Sequence, residues 1–215
     1  MPRKVQRRQS TEVRRTQIAN AARILTVKYG SEHLTVRRIA KEIGVSEGAL
    51  YRHFKSKRDI LSLMVERVEE DLVRDIREGG AAVAGHTPLE ILDGSLKNHI
   101  SAIEQRKGVS FQVIAEVISL GDKKLNRQAS EALDRYTGHI RDILSEGIKA
   151  GEIRKDIDPE EAATLVTAAI QGLVNRWALG NYSFNLEQRY LSLWSILRGS
   201  IVSDSGTVTD TSAGS

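Results

Sequence analysis

Residues 35–54 read TVRRIAKEIGVSEGALYRHF, and the parsing of this stretch decides the fold. Two short helix-period apolar runs flank Gly44. Ile39, Ala40 and Ile43 line the first, which Thr35 opens and Gly44 ends. Leu50 and Phe54 line the second, which Ser46 opens and which runs for about two turns. With Val45 these apolar positions form an inner face, and the outward positions are basic or small. That is a helix-turn-helix pattern. Ala40 is small where the two helices cross closely, and Gly44 supplies a turn in which positive φ is cheapest for glycine. The second helix begins Ser46-Glu47-Gly48-Ala49. Its free N–H groups and positive dipole end suit a phosphate or a base edge. Gly48 and Ala49 let its backbone approach a major groove, and Tyr51, Arg52, His53, Lys55 and Lys57 make a polar, basic rim.

The charge around this stretch agrees with that reading. Residues 1–60 carry 15 Lys and Arg against 5 Asp and Glu, a net of +10, and the remainder carries 17 against 23, a net of −6. The overall +4 therefore hides a basic head on an acidic body, an asymmetry that points to nucleic acid. A chain of 215 residues, 40% of them hydrophobic, buries a core without staples. It contains no cysteine, which excludes disulfide frameworks, zinc knuckles and thiol catalysis. No apolar run is long enough to span a bilayer. The N-terminus MPRKVQRR has no apolar stretch behind it, so it does not read as a signal peptide, and a cytoplasmic location is expected.

No period-2 strand pattern and no internal repeat occurs; the chain reads as all-α. Ile18, Ala21, Ala22, Leu25 and Tyr29 share one face of a first helix, which Gly30 stops. Ser56-Lys57-Arg58-Asp59 resembles a capping box. The long helix behind it, with Ile60, Leu61, Val65, Val68, Leu72 and Ile76 inward, is expected to end at Gly79-Gly80. Thr87-Pro88-Leu89-Glu90 and Asp158-Pro159-Glu160-Glu161 are helix starts with Pro at N1, and Asn185-Leu186-Glu187-Gln188 is a weaker one. Further helices are expected over about 100–107, 109–120, 123–150, 160–179 and 186–201, with Gly121, Gly151 and Gly180 as C-caps. The organisation expected is an arm and DNA-binding domain over 1–55, a helical effector-binding and dimerisation domain over 56–201, and a disordered tail over 202–215.

The segment LTVRRIAKEIGVSEGALYRHFKSKRDIL, residues 34–61, resembles the DNA-binding signature of TetR-family transcriptional regulators. A first helix, a short helix-turn-helix, a Tyr-x-His-Phe ending and Lys-Ser-Lys before a long fourth helix occur in the family's order. The run Gly151-Glu152-Ile153-Arg154 and the following Asp158-Pro159-Glu160 are also usual there. The resemblance implies a three-helix DNA-binding domain on a larger helical ligand-binding and dimerisation domain. It implies that Thr35 caps the positioning helix or binds a phosphate, and that Arg37 reaches a phosphate or a guanine edge. Ser46, Glu47, Gly48 and Ala49 lie where the family reads bases. Tyr51, His53 and Lys57 would hold phosphates, and Arg52 would serve base or phosphate. Glu47 departs in charge, and either accepts from cytosine N4 or complements the helix dipole.

The body carries broad apolar faces. Val166, Ile170, Leu173 and Val174 on one C-terminal helix, with Tyr190, Leu193, Trp194 and Leu197 on the last, are taken as the interface of a homodimer. A dimer presents two recognition helices about one DNA turn apart, so the operator is expected to be a pseudo-palindrome. The candidate effector pocket is Met64, Leu96, His99, Ile103, Phe111, Ile114, Tyr136, Ile140 and Trp177, a lining that suits an apolar or amphipathic, acyl or aromatic molecule. His99 and His139 are too isolated for a metal site, and neither a metal nor a cofactor is expected. The G-x-S-x-G, P-loop and H-E-x-x-H motifs are absent, so the chain does not read as an enzyme. Two functions stand: a repressor released by a small effector, and an architectural protein of the same fold that binds DNA and recruits a protein partner.

Overall fold

The computed structural model describes residues 11–30, 33–52, 54–83 and 85–203. The described residues form helices α1 (Thr11–Tyr29), α2 (Val36–Glu42), α3 (Glu47–Tyr51), α4 (Lys57–Ala82), α5 (Pro88–Gln105), α6 (Val109–Leu120), α7 (Lys123–Lys149), α8 (Pro159–Leu179) and α9 (Leu186–Ile201). They contain no β-strand, only an isolated antiparallel bridge between Ile153 and Val202. None of these helices is long and apolar enough to cross a membrane.

Most helix starts are where the side chains that can cap them stand. Ser56 and Asp59 cap α4 reciprocally: Asp59 Oδ2 accepts from the Lys55 and Ser56 amides, and Ser56 Oγ from the Asp59 amide. Thr87 and Glu90 do the same at α5. Asp158 and Asn185 cap α8 and α9. The cap of α7 is Asp122, whose Oδ1 accepts from the Lys124 and Leu125 amides at 3.0 Å each. Those amides, that of Leu125 foremost, and the nearby Arg58 guanidinium hold the Asp122 carboxyl below its ordinary range.

Several sequence-based boundaries move. α4 does not stop at Gly79-Gly80 but runs on to Ala82, because Gly79 is a crossing point rather than a terminator. A Cβ there would stand 2.5 Å from the Gly94 carbonyl oxygen and 2.7 Å from Ser95 Cα, both on α5. α5 is one continuous helix from Pro88, where a separate segment over 100–107 was expected. Leu89, Leu92, Leu96, Ile100 and Ile103 are all buried and keep a single helical stripe through it. Gly180 does cap the end of α8 as expected, though at φ −82°, and the left-handed conformation falls on Asn181 and Tyr182 after it. Tyr29 is 45% exposed rather than inward. Its ring lies under the charged ends of Lys28 and Arg38, an arrangement open to an exposed aromatic face. Val202 and Ser203, expected in the tail, are held by the Ile153–Val202 bridge and the bond from the Ser203 amide to the Glu152 carbonyl. The arm over 1–10 and the remaining tail lie outside the described residues.

The chain divides into two compact units, Met1–Leu72 with Ile103–Arg135, and Val73–Ala102 with Tyr136–Ser215. The core of the first contains Ile18, Ala22, Leu25, Ile39, Leu50, Ile60, Leu61, Met64, Val113 and Val117. Polar contacts tie α4 to α1 in this unit. Arg15 meets Glu66 at 2.6 Å, Arg67 donates to Thr16 Oγ1 at 3.1 Å, and Arg23 approaches the buried Asp71 at 3.4 Å. The core of the second unit contains Leu92, Leu96, Ile140, Leu144, Ile170, Val174, Trp177 and Tyr190.

Candidate nucleic-acid interface

The interface is built on α2 and α3, too short to be stable alone and held by caps and a few apolar anchors. Thr35 Oγ1 accepts from the Arg38 amide and Ser46 Oγ from the Ala49 amide, each at 3.2 Å. Thr35 thus takes the capping alternative at α2. The turn closes with Gly44 at φ +68° and the Val45 amide bonded to the Ala40 carbonyl at 2.9 Å. A Cβ at Gly44 would touch nothing within 4 Å, so the turn needs glycine for its backbone angle, not for space. Ile39, Ala40, Leu50 and Phe54 are buried, while Ile43 and Val45 are only half-buried at the edge of the turn.

With those anchors inward, the opposite side of α2–α3 faces solvent. Thr35, Arg37, Ser46, Glu47, Gly48, Tyr51 and Arg52 are exposed, and Ala49 is half-buried. His53, also assigned to DNA from the sequence, lies outside the described residues. Glu47 has a third role that its position in sequence did not disclose: Arg37 Nε stands 3.5 Å from its carboxylate. This open pair links the start of α3 to α2.

Lys57 opens α4 as expected, but its ammonium is engaged within the protein, 2.5 Å from Glu116 Oε1 on α6. Beside it, Arg58 Nε lies 3.0 Å from Asp122 Oδ2, at the α6–α7 turn. Lys57 of the rim and its neighbour Arg58 are therefore moored to carboxylates that the sequence reading passed over. The signal for Glu116 was present in principle: it is the single acid in the apolar α6, VSFQVIAEVISL.

The proposed effector residues divide between the units. In the first, Met64 and Ile103 are buried and Phe111 and Ile114 half-buried. In the second, Leu96, His99, Tyr136 and Ile140 are buried, with the His99 and Tyr136 rings 5.1 Å apart. Trp177 departs from that group: it donates from Nε1 to the Phe184 carbonyl and packs edge-on against Tyr182, holding the α8–α9 turn. A separate cleft of about 580 Å³ in the second unit is lined by Thr87, Leu89, Asp93, Glu152, Trp194 and Arg198 among others. It includes none of the nine residues.

The residues expected at a dimer interface are mostly covered within one chain. Val166, Ile170, Val174, Tyr190, Trp194 and Leu197 are buried within one chain, and Leu173 and Leu193 are half-buried. α8 and α9 spend their broad apolar stripe on each other and on the unit's core. The apolar side chains that they expose are others: Leu165, Leu179, Leu191 and Ile196.

Known proteins share this arrangement. The family description "Bacterial regulatory proteins, tetR family" matches residues 18–64, from α1 into α4. "BetI-type transcriptional repressor, C-terminal" matches residues 104–192. The chain belongs to the TetR family and is a DNA-binding transcriptional regulator. Among its relatives is the fatty acid metabolism regulator protein of Bacillus subtilis (strain 168), 29% identical over 174 residues that cover 79% of this chain and 86% of that protein. The crystal structure of the regulator FadR from Bacillus subtilis in complex with stearoyl-CoA superposes with a TM-score of 0.73 at 27% identity, over 85% of this chain and 96% of that one. Nucleoid occlusion factor SlmA of Vibrio atlanticus (strain LGP32) is 24% identical over 189 residues, 87% of this chain and 95% of that protein.

Proposed function

We propose that the protein is a cytoplasmic, homodimeric repressor that holds a pseudo-palindromic operator and is released by an amphipathic acyl effector. The observation that carries the DNA-binding half is the anchored α2–α3 pair. Its apolar side is buried, and Arg37, Ser46, Glu47, Gly48, Ala49, Tyr51 and Arg52 stand together on its open side. Thr35, which caps α2, and Lys57, with a phosphate as its partner on the DNA, border this surface, and residues 1–55 form the DNA-binding domain. The likeness to a regulator solved with stearoyl-CoA supports the acyl class of effector. The exposed apolar side chains Leu165, Leu179, Leu191 and Ile196 support pairing of α8 and α9 across a two-fold axis.

Release requires that the effector bind the DNA-free conformation more tightly than the DNA-bound one. The test is selection of bound duplexes from a random library at near-physiological salt, followed by titration of the selected complex with stearoyl-CoA. The expected result is one palindromic motif with fixed half-site spacing and dissociation on titration. A second reading, a DNA-bound scaffold that recruits a protein partner, is favoured by the likeness to the nucleoid occlusion factor. A motif that stearoyl-CoA does not release would move the assignment to it.

A further inference from the structure

The interior of the second unit holds an island of polar side chains that neither DNA binding nor folding accounts for. Asp75 on α4, His99 on α5, Tyr136 on α7 and Tyr190 on α9 are each 3% exposed or less. The residues around them on α5 and α7 are aliphatic and buried: Leu92, Leu96, Ile100, Ile140 and Leu144. Most of the island is internally satisfied. His99 Nδ1 and Asp75 Oδ2 are 3.0 Å apart, Asn98 Nδ2 donates to the Asp75 carbonyl at 2.7 Å, and Tyr190 donates its hydroxyl to Asp93 Oδ1 at 3.3 Å. Asp93 is also paired with Lys97 at 2.7 Å.

Tyr136 is the exception. Its hydroxyl is buried and has no hydrogen-bond partner among the described residues. Its ring is held against His99, so the hydroxyl has a defined place. Burial, and then the carboxylate of Asp75, push its ionisation far above the ordinary phenol range. It is therefore a neutral phenol with a proton to donate. A phenylalanine would fill the same volume without the desolvation cost of an orphaned hydroxyl. Ser95 Oγ on α5 is also buried and unpartnered. It faces the α4 glycines, 3.0 Å from where a Gly80 Cβ would stand, and so belongs to the helix crossing.

We propose that the Tyr136 hydroxyl is the hydrogen-bond donor that recognises an uncharged carbonyl oxygen of the effector, such as that of an acyl thioester. An oxygen acceptor would satisfy this unmet donor. An uncharged one fits because the island already holds the carboxylates of Asp75, beside His99, and of Asp93, paired with Lys97, so a further carboxylate entering beside them meets negative charge. The proposal rests on the acyl reading given above and adds the group that fixes the head of the chain.

The test uses the full-length protein on its selected operator, with stearoyl-CoA as probe and Tyr136→Phe and Ser95→Ala as variants. Tyr136→Phe is expected to melt no lower than wild type without effector, since it removes a buried unmet donor. It is expected to need about tenfold more stearoyl-CoA for release, the loss of one buried hydrogen bond. Ser95→Ala is expected to respond as wild type does. Stearate is expected to release the wild type more weakly than the thioester does. Equal release of Tyr136→Phe and wild type by stearoyl-CoA would overturn the assignment of Tyr136 while leaving the acyl reading standing. A wild type that stearoyl-CoA neither releases from DNA nor stabilises against heat would overturn the acyl reading, and this assignment with it.

Discussion

Gly48 shows how a single residue separates binding from folding. It lies in the first turn of α3, exposed, and a Cβ added there would meet nothing within 4 Å. The protein alone has no use for a glycine at this position, and a helix pays about 0.5–1 kcal/mol for one relative to alanine. Gly48→Ala is therefore expected to raise the melting temperature slightly. On the proposed reading it also weakens operator binding several-fold, because the added methyl stands between α3 and the floor of the groove. A thermal melt and a fluorescence anisotropy titration check the two halves. Unchanged affinity would remove Gly48 from the interface. Gly44 behaves in the opposite way: its cost on substitution would arise from φ +68° and appear in stability.

At the scale of elements, α4 carries the most argument. Its first turn is moored by Lys57–Glu116 and Arg58–Asp122, and further along Glu69 takes a two-pronged bond from Arg135 at 2.5 and 2.6 Å. If Lys57 also holds a phosphate, Glu116 competes for it. Lys57→Ala is then expected to weaken binding to all sequences alike and to flatten the salt dependence by about one unit. Glu116→Gln frees the ammonium and is expected to tighten binding about two- to fivefold, the scale of a partly exposed pair. Anisotropy titrations across a salt series decide it: an unchanged slope for Lys57→Ala would end its phosphate role. The other end of α4 depends on contact, not charge. Gly79→Ala would push a methyl into the Gly94 carbonyl and Ser95 backbone of α5. The clash, about 1–3 kcal/mol, exceeds the helix-propensity gain of about 1 kcal/mol. A lower melting temperature is expected, and a higher one would show that the crossing yields.

For the whole molecule, the proposed homodimer poses the question of which surface a second copy would cover. Trp194→Glu would test folding, since that side chain is 6% exposed in a single chain. Ile196, 71% exposed on α9, and Leu165, 56% exposed on α8, are the residues to charge. Leu165→Glu with Ile196→Glu is expected to leave the melting profile of each protomer intact. It should convert the dimer to monomer in sedimentation, and operator binding should fall with it, because one head reaches one half-site. A dimer that survives both charges at micromolar concentration would place the two-fold elsewhere.

How much of this was legible beforehand depended on the range of the physics. Helix starts were legible because a cap is a bond between residues two or three apart: Thr35, Ser46, Ser56, Thr87, Asp158 and Asn185 all sit where their side chains announced. The helix-turn-helix was legible for the same reason, since its anchors and Gly44 lie within one short segment. What the sequence could not disclose was which neighbour meets which face. Periodicity marked Val166, Ile170 and Tyr190 as apolar, but only the tertiary structure determined that α8 and α9 bury them within one chain. Gly79 read as a stop because glycine usually frees a chain, and the packing of α5 made it a crossing point. Lys57 was expected at a phosphate, and only the fold discloses that Glu116, 59 residues away, pairs with its ammonium. Local hydrogen bonding and periodicity are properties of neighbouring residues. Burial, close approach and the pairing of distant charges exist only once the chain has brought those residues together.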